Sequence, residues 1–267
     1  MTGSPQRRVF AIVYRHLALY RRSWPRVLEL MYWPSLQMLV WGFVSAWLAS
    51  MQPGAAHFAA GVLLGGVLLW EVALRSQMGF AISFLEEIWS RNLGHVFVSP
   101  IRPTELIAAL VTMSLIRTLV GVLPAAGLAW LFYGFGLFDA GPIVIAFFAL
   151  LLMMGWAVAL GVTALILRHG AGAEALAWGV LFGVTPFAAV FYPVEVLPLP
   201  MQFVALSVPA AHVFEGLRAA LVEGRTAWEH LFAALALNVA WMAALGGLFL
   251  NQFEGARERG ALLNIGE

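Results

Sequence analysis

The sequence predicts an all-α membrane protein with six transmembrane helices. Apolar residues make up 62% of its 267 residues and charged residues only 11%, whereas a soluble domain carries about 25% charged residues. A spanning helix needs about 20 mostly apolar residues, because the hydrocarbon layer of a bilayer is about 30 Å thick. Six stretches meet or nearly meet that length: 26–50, 58–78, 106–132, 143–167, 173–192 and 230–250.

The distribution of arginine predicts how these helices are oriented. All fifteen basic residues are Arg, and twelve of them fall on one side of a six-span arrangement. Only Arg218 and Arg225 fall on the opposite side, and Arg117 lies inside the third stretch. Because cytoplasmic loops carry the excess of basic residues, the side with twelve arginines is predicted to be cytoplasmic. Both termini lie on that side.

Residues 1–25 are predicted to form a separate N-terminal helix, followed by the six-span domain over 26–267. An apolar face and an arginine-bearing face are typical of a helix that lies in the membrane interface. The alternative is a positively charged topology signal without fixed structure. The predicted apolar face comprises Val9, Phe10, Ile12, Val13, Leu17 and Tyr20, and the predicted basic face comprises Arg7, Arg8, Arg15 and Arg22.

The charge-rich segment FLEEIWSRNLGHVFVSPIRPTE, residues 84–105, separates the second and third stretches. Leu85, Ile88 and Trp89 recur at helical spacing, which predicts a short cytoplasmic helix over about 84–100 that ends before the prolines. The opposite face would carry Glu86, Glu87 and Arg91, with Glu87 and Arg91 placed to pair. Two interpretations remain open: the apolar side rests on lipid with the charges in water, or the charged face docks on a cytoplasmic partner.

A second irregular segment precedes the sixth stretch, over about 190–225. Glu195 lies between Pro193 and Pro198, so a straight helix cannot continue there. Broken backbone at membrane depth must be buried in protein or face a cavity, which favours a gate over a lipid-facing loop; a re-entrant hairpin on the outer side is what the family resemblance described below implies for this segment. His212, Glu215 and Arg218 are spaced by three residues and share one helix face. A zinc-protease string is absent, so an ion pair between Glu215 and Arg218 is predicted rather than a catalytic or metal site.

Polar residues inside the stretches predict local pairing. Glu71 and Arg75 are four residues apart, so an ion pair is expected between them. Arg117 is costly at membrane depth unless its guanidinium reaches the headgroups or finds a carboxylate. Glu71 and Glu174 are the candidate partners for it.

Two of these segments resemble the ABC type-2 exporter permeases. SFLEEIWSRNLGHVFVSPIRPTEL is similar to the family's segment between spans two and three, and VFYPVEVLPLPMQFVALSVPAAHVFEGLRAAL is similar to its segment before span six. Ser207-Val208-Pro209 departs from the family's more usual Asn-Pro. The resemblance implies a coupling helix that seats in a nucleotide-binding subunit, a connecting helix at the N-terminus and a homodimer above two ATPase subunits.

The resemblance also implies three groups of site residues. The ATPase-subunit contact would comprise Glu86, Glu87, Trp89, Arg91 and Arg15. The outer gate would comprise Tyr192, Pro193, Glu195, His212, Glu215 and Arg218. The pathway lining would comprise Tyr32, Trp33, Gln37 and Trp41. A bacterial inner-membrane location, lipid contacts and export are implied in the same way. The formal net charge of +1 favours no nucleic-acid partner.

The chain is predicted to be a transport subunit and not an enzyme. A Walker A loop requires a lysine that neutralises phosphate charge, and the sequence contains no Lys. No cofactor is therefore expected in this chain, and ATP and Mg would be bound by the partner subunit. Two alternatives remain: an ion-coupled secondary carrier that uses Glu71, Glu174 or Arg117, and a membrane-embedded enzyme or biogenesis factor that uses His212 and Glu215.

Overall fold

The computed structural model describes residues 4–21, 23–51, 56–90 and 101–258, and within these ranges it contains helices and no strand. Nine α-helices lie in the described part of the chain. They are α1 (Pro5–Arg21), α2 (Trp24–Met51), α3 (Ala56–Trp89), α4 (Pro103–Tyr133), α5 (Ile143–His169), α6 (Leu176–Val184), α7 (Leu199–Leu206), α8 (Pro209–Val222) and α9 (Trp228–Glu258).

Local sequence explains where α4 begins and ends. Pro103 occupies the first helical turn, where its missing N–H costs nothing, and the Glu105 carboxylate accepts the Arg102 backbone N–H at 3.0 Å. This is the contact that the N3 glutamate makes in a capping box. At the other end Gly134 adopts φ +63°, and its N–H donates to the Trp130 carbonyl. A glycine tolerates that left-handed conformation, so the helix stops there.

Several helices support a multi-pass membrane protein. Helices α4, α5 and α9 are long and apolar enough to cross a bilayer, with mean hydropathies of 2.2, 2.7 and 1.9. The consecutive helices α7 and α8 are bent by 95° at their break and count as a fourth candidate if they form one broken span. Helices α2 and α3, of 28 and 34 residues, are long enough to span but are not among these candidates. Three to four spans are thus supported, and six remain a prediction.

The expected single helix over 173–192 is wrong. Ala173 belongs to the short 3-10 turn Gly170–Ala173, and α6 runs only from Leu176 to Val184 before a 3-10 turn over Thr185–Phe187. The 12 residues of the helix and its turn (9 in the helix, 3 in the turn) extend the chain by about 18 Å at 1.5 Å per residue. Pro186 lacks the N–H that a continuing helix needs, and the next α-helix begins only at Leu199.

The predicted separate helix over about 84–100 is also corrected. Phe84–Trp89 form the last turns of α3 and continue it without a break. Nothing in the sequence interrupts the helix there, because no Gly or Pro lies between Gly79 and Trp89. Residues 91–100, including Arg91 and Pro100, lie outside the described residues.

The core lies where α3, α4 and α5 meet, with α9 packed on α5. Small residues allow close helix approach: a β-carbon at Gly79 would lie 3.1 Å from Ser114 Cα. The Ser114 hydroxyl donates to the Ser76 carbonyl at 2.6 Å and accepts the Trp156 indole N–H at 3.0 Å. These buried polar groups satisfy one another, so the three helices are held in a fixed register.

Helix α1 packs along the beginning of α4. Arg8 pairs with Glu105 near the start of both helices, and Tyr20 lies beneath Arg117 twelve residues later in each. The two helices therefore run side by side in the same direction. We call this end of the molecule, with the end of α3 and the start of α4, the inner end. The end that carries α7, α8 and the start of α9 is the outer end.

Candidate functional site

A buried charge cluster joins α1 to α3 and α4 at the inner end. We call it the inner cluster; it comprises Arg15 and His16 of α1, Glu86 and Glu87 of α3 and Arg117 of α4. His16 Nε2 lies 3.0 Å from Glu87 Oε1, and His16 Nδ1 lies 3.2 Å from Glu86 Oε2. Arg117 donates to Glu86 Oε2 at 2.8 Å, and Arg15 forms an ion pair with Glu87. The side chains of His16 and Glu87 are fully buried, so the protein itself must balance these charges.

Aromatic and basic neighbours complete the electrostatics of the cluster. The Arg117 guanidinium lies 4.9 Å from the centroid of the Tyr20 ring, within the range of a cation–π contact. Burial raises the pKa of the Tyr20 phenol to about 12, although the nearby Arg117 charge opposes the shift. Burial lowers the pKa of Arg15, with Glu86 opposing that shift. Arg26 of α2 approaches Glu86 at 3.8 Å, so four helices contribute charge here.

The predicted contact carboxylates face the interior of the chain. The sequence assigned Glu86 and Glu87 to a water-exposed face opposite Leu85 and Ile88. Glu87, Leu85 and Ile88 are all buried, because α1 and α4 cover the side that was expected to be open. Arg91, the predicted partner of Glu87, lies outside the described residues. Contact of these residues with an ATPase subunit stays a prediction.

Among the described members of that predicted group, Trp89 is the most exposed, and the Arg15 side chain is 41% exposed. Trp89 is 53% exposed, and its indole N–H donates to Glu174 Oε1 at 3.1 Å. The neighbouring Ser90 is exposed as well. A second protein that approached the inner end would therefore meet Trp89 before it met the carboxylates.

The face of α1 also differs from the predicted one. Ile12 and Val13 are buried as expected, but Phe10 is 66% exposed and stacks with Tyr14 at a centroid distance of 6.1 Å. Arg8, which was assigned to the lipid-headgroup side, instead pairs with Glu105. The hydrogen bonds that Arg8 donates to the Glu105 carboxylate raise the pKa of Arg8. Helix α1 is thus packed against the protein on one side and carries exposed aromatic rings on another.

A cavity of about 590 Å³ lies beside the inner cluster. One face of α3 forms its floor, from Glu71 to Trp89, and α2 and α6 flank it. Arg117 and Glu86 of the inner cluster form part of its wall. The predicted Glu71–Arg75 ion pair also lines it, with Arg75 Nε 3.1 Å from Glu71 Oε2. Mixed charged and aromatic walls of this kind are typical of a ligand pocket. The aromatic side chains of the wall are Tyr20, Trp33, Trp89, Trp178 and Phe182.

Two of the four predicted pathway residues line this cavity. Trp33 and Gln37 do so. Tyr32 packs edge-on against Trp33, with ring centroids 5.4 Å apart, and is not part of the wall. Trp41 stacks on Phe191 at 4.4 Å. It therefore belongs to the contact between α2 and the chain that connects α6 to α7, residues 185–198, which we call the outer segment. The expected partners of Arg117 are wrong: it pairs with Glu86 and not with Glu71 or Glu174.

A second polar cluster holds the outer segment against α8. Arg218 donates to Glu215 Oε1 and to the Ala189 carbonyl, both at 2.8 Å, which confirms the predicted Glu215–Arg218 pair. Glu215 Oε1 also accepts the Val194 backbone N–H at 2.7 Å. Ala189 adopts φ +55°, a strained conformation for alanine. The contacts that Glu215 and Arg218 make with the backbone of this turn stabilise it against that strain.

The other predicted gate residues lie on the outer segment and on α8, near the Glu215–Arg218 pair. The Tyr192 hydroxyl donates to the Pro186 carbonyl at 2.7 Å, while Pro193 and Glu195 are exposed. His212 Nε2 lies 3.0 Å from the Leu206 carbonyl, and its Nδ1 lies 3.5 Å from His230 Nδ1. Within the described ranges, no three His, Cys, Asp or Glu side chains are grouped so that they could hold a metal ion.

Sequence reasoning missed His16, although a signal was present. His16 is three residues after Val13 and four after Ile12, so helical spacing places it on the buried face of α1. A buried histidine requires polar partners, and the chain offers two adjacent glutamates in the segment after the second stretch. The comparisons add no family to this picture: no protein-family model matches the chain, and no match was found among curated proteins.

Proposed function

We propose that this chain is the membrane permease subunit of an ATP-binding-cassette exporter. It works as a homodimer and moves a substrate across the bacterial inner membrane, with both termini in the cytoplasm and with energy from a separate ATPase subunit. The observation that carries the proposal is the cavity beside the inner cluster. Its wall contains side chains from the same helices, α3 and α4, that α1 joins at the inner end.

This arrangement supports a mechanism in which movement at the inner end changes the shape of the cavity. Glu86 belongs both to the inner cluster and to the cavity wall, and Arg117 does so too. A displacement of α1 or of the end of α3 would therefore reach the cavity directly. ATP shifts such a balance only by its differential affinity for two conformations, and those conformations would differ in how α3 lies against α1 and α4.

The absence of lysine supports the proposal that a separate subunit hydrolyses ATP. The chain has no Lys with which to build a Walker A loop. ATP and Mg would thus be held by the partner, and this chain would need no cofactor of its own. In the proposed arrangement α2 and α3 are the first two spans.

A photo-crosslinking experiment tests the proposed partner. A photoreactive amino acid replaces Trp89 at the inner end in one variant and Phe203 at the outer end in another; both side chains are exposed. We expect the Trp89 variant, and not the Phe203 variant, to form an adduct with a protein that contains a Walker A loop. An adduct with such a protein only from Phe203, or from neither position, would overturn the proposal.

One observation favours an ion-coupled carrier as the second candidate. Glu71 is buried and lines the cavity in contact with Arg75, and intramembrane carboxylates of this kind serve as ion sites in carriers. A carrier would accumulate substrate in vesicles from an ion gradient alone, without any ATPase subunit. The proposed exporter would not.

A further inference from the structure

Two histidines meet at the outer end, one on α8 and one on α9. His212 Nδ1 lies 3.5 Å from His230 Nδ1, whereas the centroids of the two rings are 5.7 Å apart. The two nitrogens are thus much closer than the rings, so the imidazoles face each other through their Nδ1 edges. Both residues are partly exposed, and the turn over 223–226 that joins α8 to α9 is exposed as well. An ion can therefore reach the pair from water.

Close packing of α8 on α9 places the two rings together. Gly216 lies one turn after His212, and a β-carbon there would be 2.6 Å from the Phe147 ring and 3.4 Å from His230 Cβ. His212 is also held on its other side, where its Nε2 lies 3.0 Å from the Leu206 carbonyl oxygen. Because a carbonyl oxygen only accepts, this contact assigns the proton of the neutral His212 ring to Nε2 and leaves a lone pair on Nδ1.

The distance between the two nitrogens fits a shared metal ion. A separation of 3.5 Å is long for a hydrogen bond donated by a ring N–H, for which about 2.7–3.2 Å is usual. The same separation is close to that of two ligands on one tetrahedral Zn²⁺ ion. With Zn–N bonds of about 2.0–2.1 Å, two such nitrogens lie about 3.4 Å apart. A cation between the rings therefore fits the observed spacing better than a shared proton does.

We propose that His212 and His230 form a two-histidine site for a divalent cation such as Zn²⁺ or Cu²⁺, with water in the remaining positions. Neutral imidazole suits these ions, whereas Mg²⁺ and Ca²⁺ prefer oxygen ligands. The contact from His212 Nε2 to the Leu206 carbonyl is the outer hydrogen bond that a metal-bound histidine ordinarily makes. The neutral His230 ring exposes its Nδ1 lone pair in the same way when its proton lies on Nε2.

The charged groups around the site are already paired. Glu215 and Glu229 act electrostatically on His230, but Glu215 pairs with Arg218 and Glu229 pairs with Arg225. In the part of the chain that the structure describes, no third His, Cys, Asp or Glu is placed to complete a site made of protein ligands alone. The site is therefore weaker and exchanges its ion more readily than a structural zinc site with four protein ligands.

A bound cation would tie α8 to the start of α9. Glu215 and Arg218 of α8 hold the backbone of the outer segment, so the cation would stabilise this arrangement of the outer end. The inference stands on the contacts of the two histidines; only its consequence for transport rests on the proposed function. In that function the cation would favour the arrangement described above over any in which α8 and α9 separate.

The test adds Cu²⁺ to the full-length protein in lipid nanodiscs, purified without a histidine tag. Cu²⁺ is the probe because pulsed EPR counts the imidazoles bound to it, and because it binds nitrogen sites more tightly than the neighbouring divalent metals do. We expect two bound imidazoles in the wild-type protein. Excess Zn²⁺ should displace the Cu²⁺, whereas the same excess of Mg²⁺ should not.

Substitution of either histidine should weaken the site. His212→Gln and His230→Gln each leave one imidazole. Since loss of an outer hydrogen-bond partner alone costs about 10–100-fold in metal affinity, loss of a ligand should weaken Cu²⁺ binding at least about tenfold. His169→Gln is the matched control, because His169 is an exposed histidine on α5 whose Nδ1 also lies near a backbone carbonyl, that of Leu165. It should leave Cu²⁺ binding unchanged.

The position of the ion can also be measured with both histidines in place, which covers the case in which their variants fail to fold. The sequence contains no cysteine, so a spin label can be attached at the exposed Thr226→Cys or Ser90→Cys. The distance from Cu²⁺ to the label should be short at Thr226→Cys, four residues before His230, and long at Ser90→Cys. Fewer than two bound imidazoles in the wild-type protein, an ion closer to Ser90→Cys, or unchanged binding in both histidine variants would overturn the inference.

Discussion

The ion pair between Arg117 and Glu86 offers the sharpest test of the packing at the inner end. The Arg117 side chain is 3% exposed and donates to Glu86 at 2.8 Å. Glu86→Gln removes the charge that balances this guanidinium. Removal of one partner of a buried pair costs about 3–5 kcal/mol, and since Glu86 is itself 16% exposed we expect about 3 kcal/mol, near the lower end of that range.

Replacement of the other partner, Arg117, should lower the free energy of unfolding by less. Arg117→Met keeps most of the side-chain volume and removes the buried cation, while Glu86 retains His16 and Arg26 as partners. We expect a loss of about 1–2 kcal/mol, the size of a lost charged hydrogen bond. Because the two residues contact each other, the double variant should lose about 1–3 kcal/mol less than the sum of the single losses.

The assay is equilibrium unfolding in detergent micelles, followed by the fluorescence of the eleven tryptophans. Glu29→Gln is the matched control, because Glu29 lines the same cavity but is exposed; it should change the free energy of unfolding by no more than about 0.5 kcal/mol. A Glu86→Gln loss no larger than that of the control, together with additive double-variant energies, would refute the pairing.

Three further predictions concern the packing at Gly155, the hydrogen bond donated by Arg218 and the burial of Tyr20. Gly155→Ala places a β-carbon 2.7 Å from a backbone carbonyl oxygen of α3 and should cost about 1–3 kcal/mol of unfolding free energy, whereas Gly179→Ala, with open space around it, should be neutral or stabilising. Arg218→Met should speed hydrogen exchange in the outer segment, because a buried carbonyl loses its donor, while Arg225→Gln at an exposed pair should not. Since burial raises the pKa of Tyr20 to about 12, the unfolded chain releases this proton from about pH 10 and the folded chain retains it. The free energy of unfolding should therefore fall between about pH 10 and about pH 12, and less steeply in Tyr20→Phe.

The sequence predicted the features that depend on composition and on short-range spacing. An all-helical chain with apolar helices follows from its hydrophobic content, and the Glu71–Arg75 and Glu215–Arg218 pairs follow from spacings of four and three residues. Such contacts are formed within one helix, so no knowledge of the packing is needed to expect them.

The features that were missed depend on which helices lie side by side. Glu86 and Glu87 were predicted to be exposed to water, because the residue spacing within one helix cannot reveal that another helix, α1, covers them. For the same reason Arg117 was assigned the wrong partners. The break after Val184 does have a local signal, because Pro186 follows two residues later and disfavours a helical conformation at the residue before it.

The central claim is that a second protein, using ATP, changes the cavity from the inner end. Because the chain has no cysteine, the single variant Phe182→Cys, in the cavity wall, reports the exposure of the cavity to a water-soluble thiol reagent. The labelling rate is measured in native membranes that contain the proposed ATPase, with and without ATP. The account predicts that ATP changes the rate at Phe182→Cys and not at Thr226→Cys, which is exposed at the outer end and lies outside the cavity. An identical labelling rate with and without ATP at Phe182→Cys would contradict it.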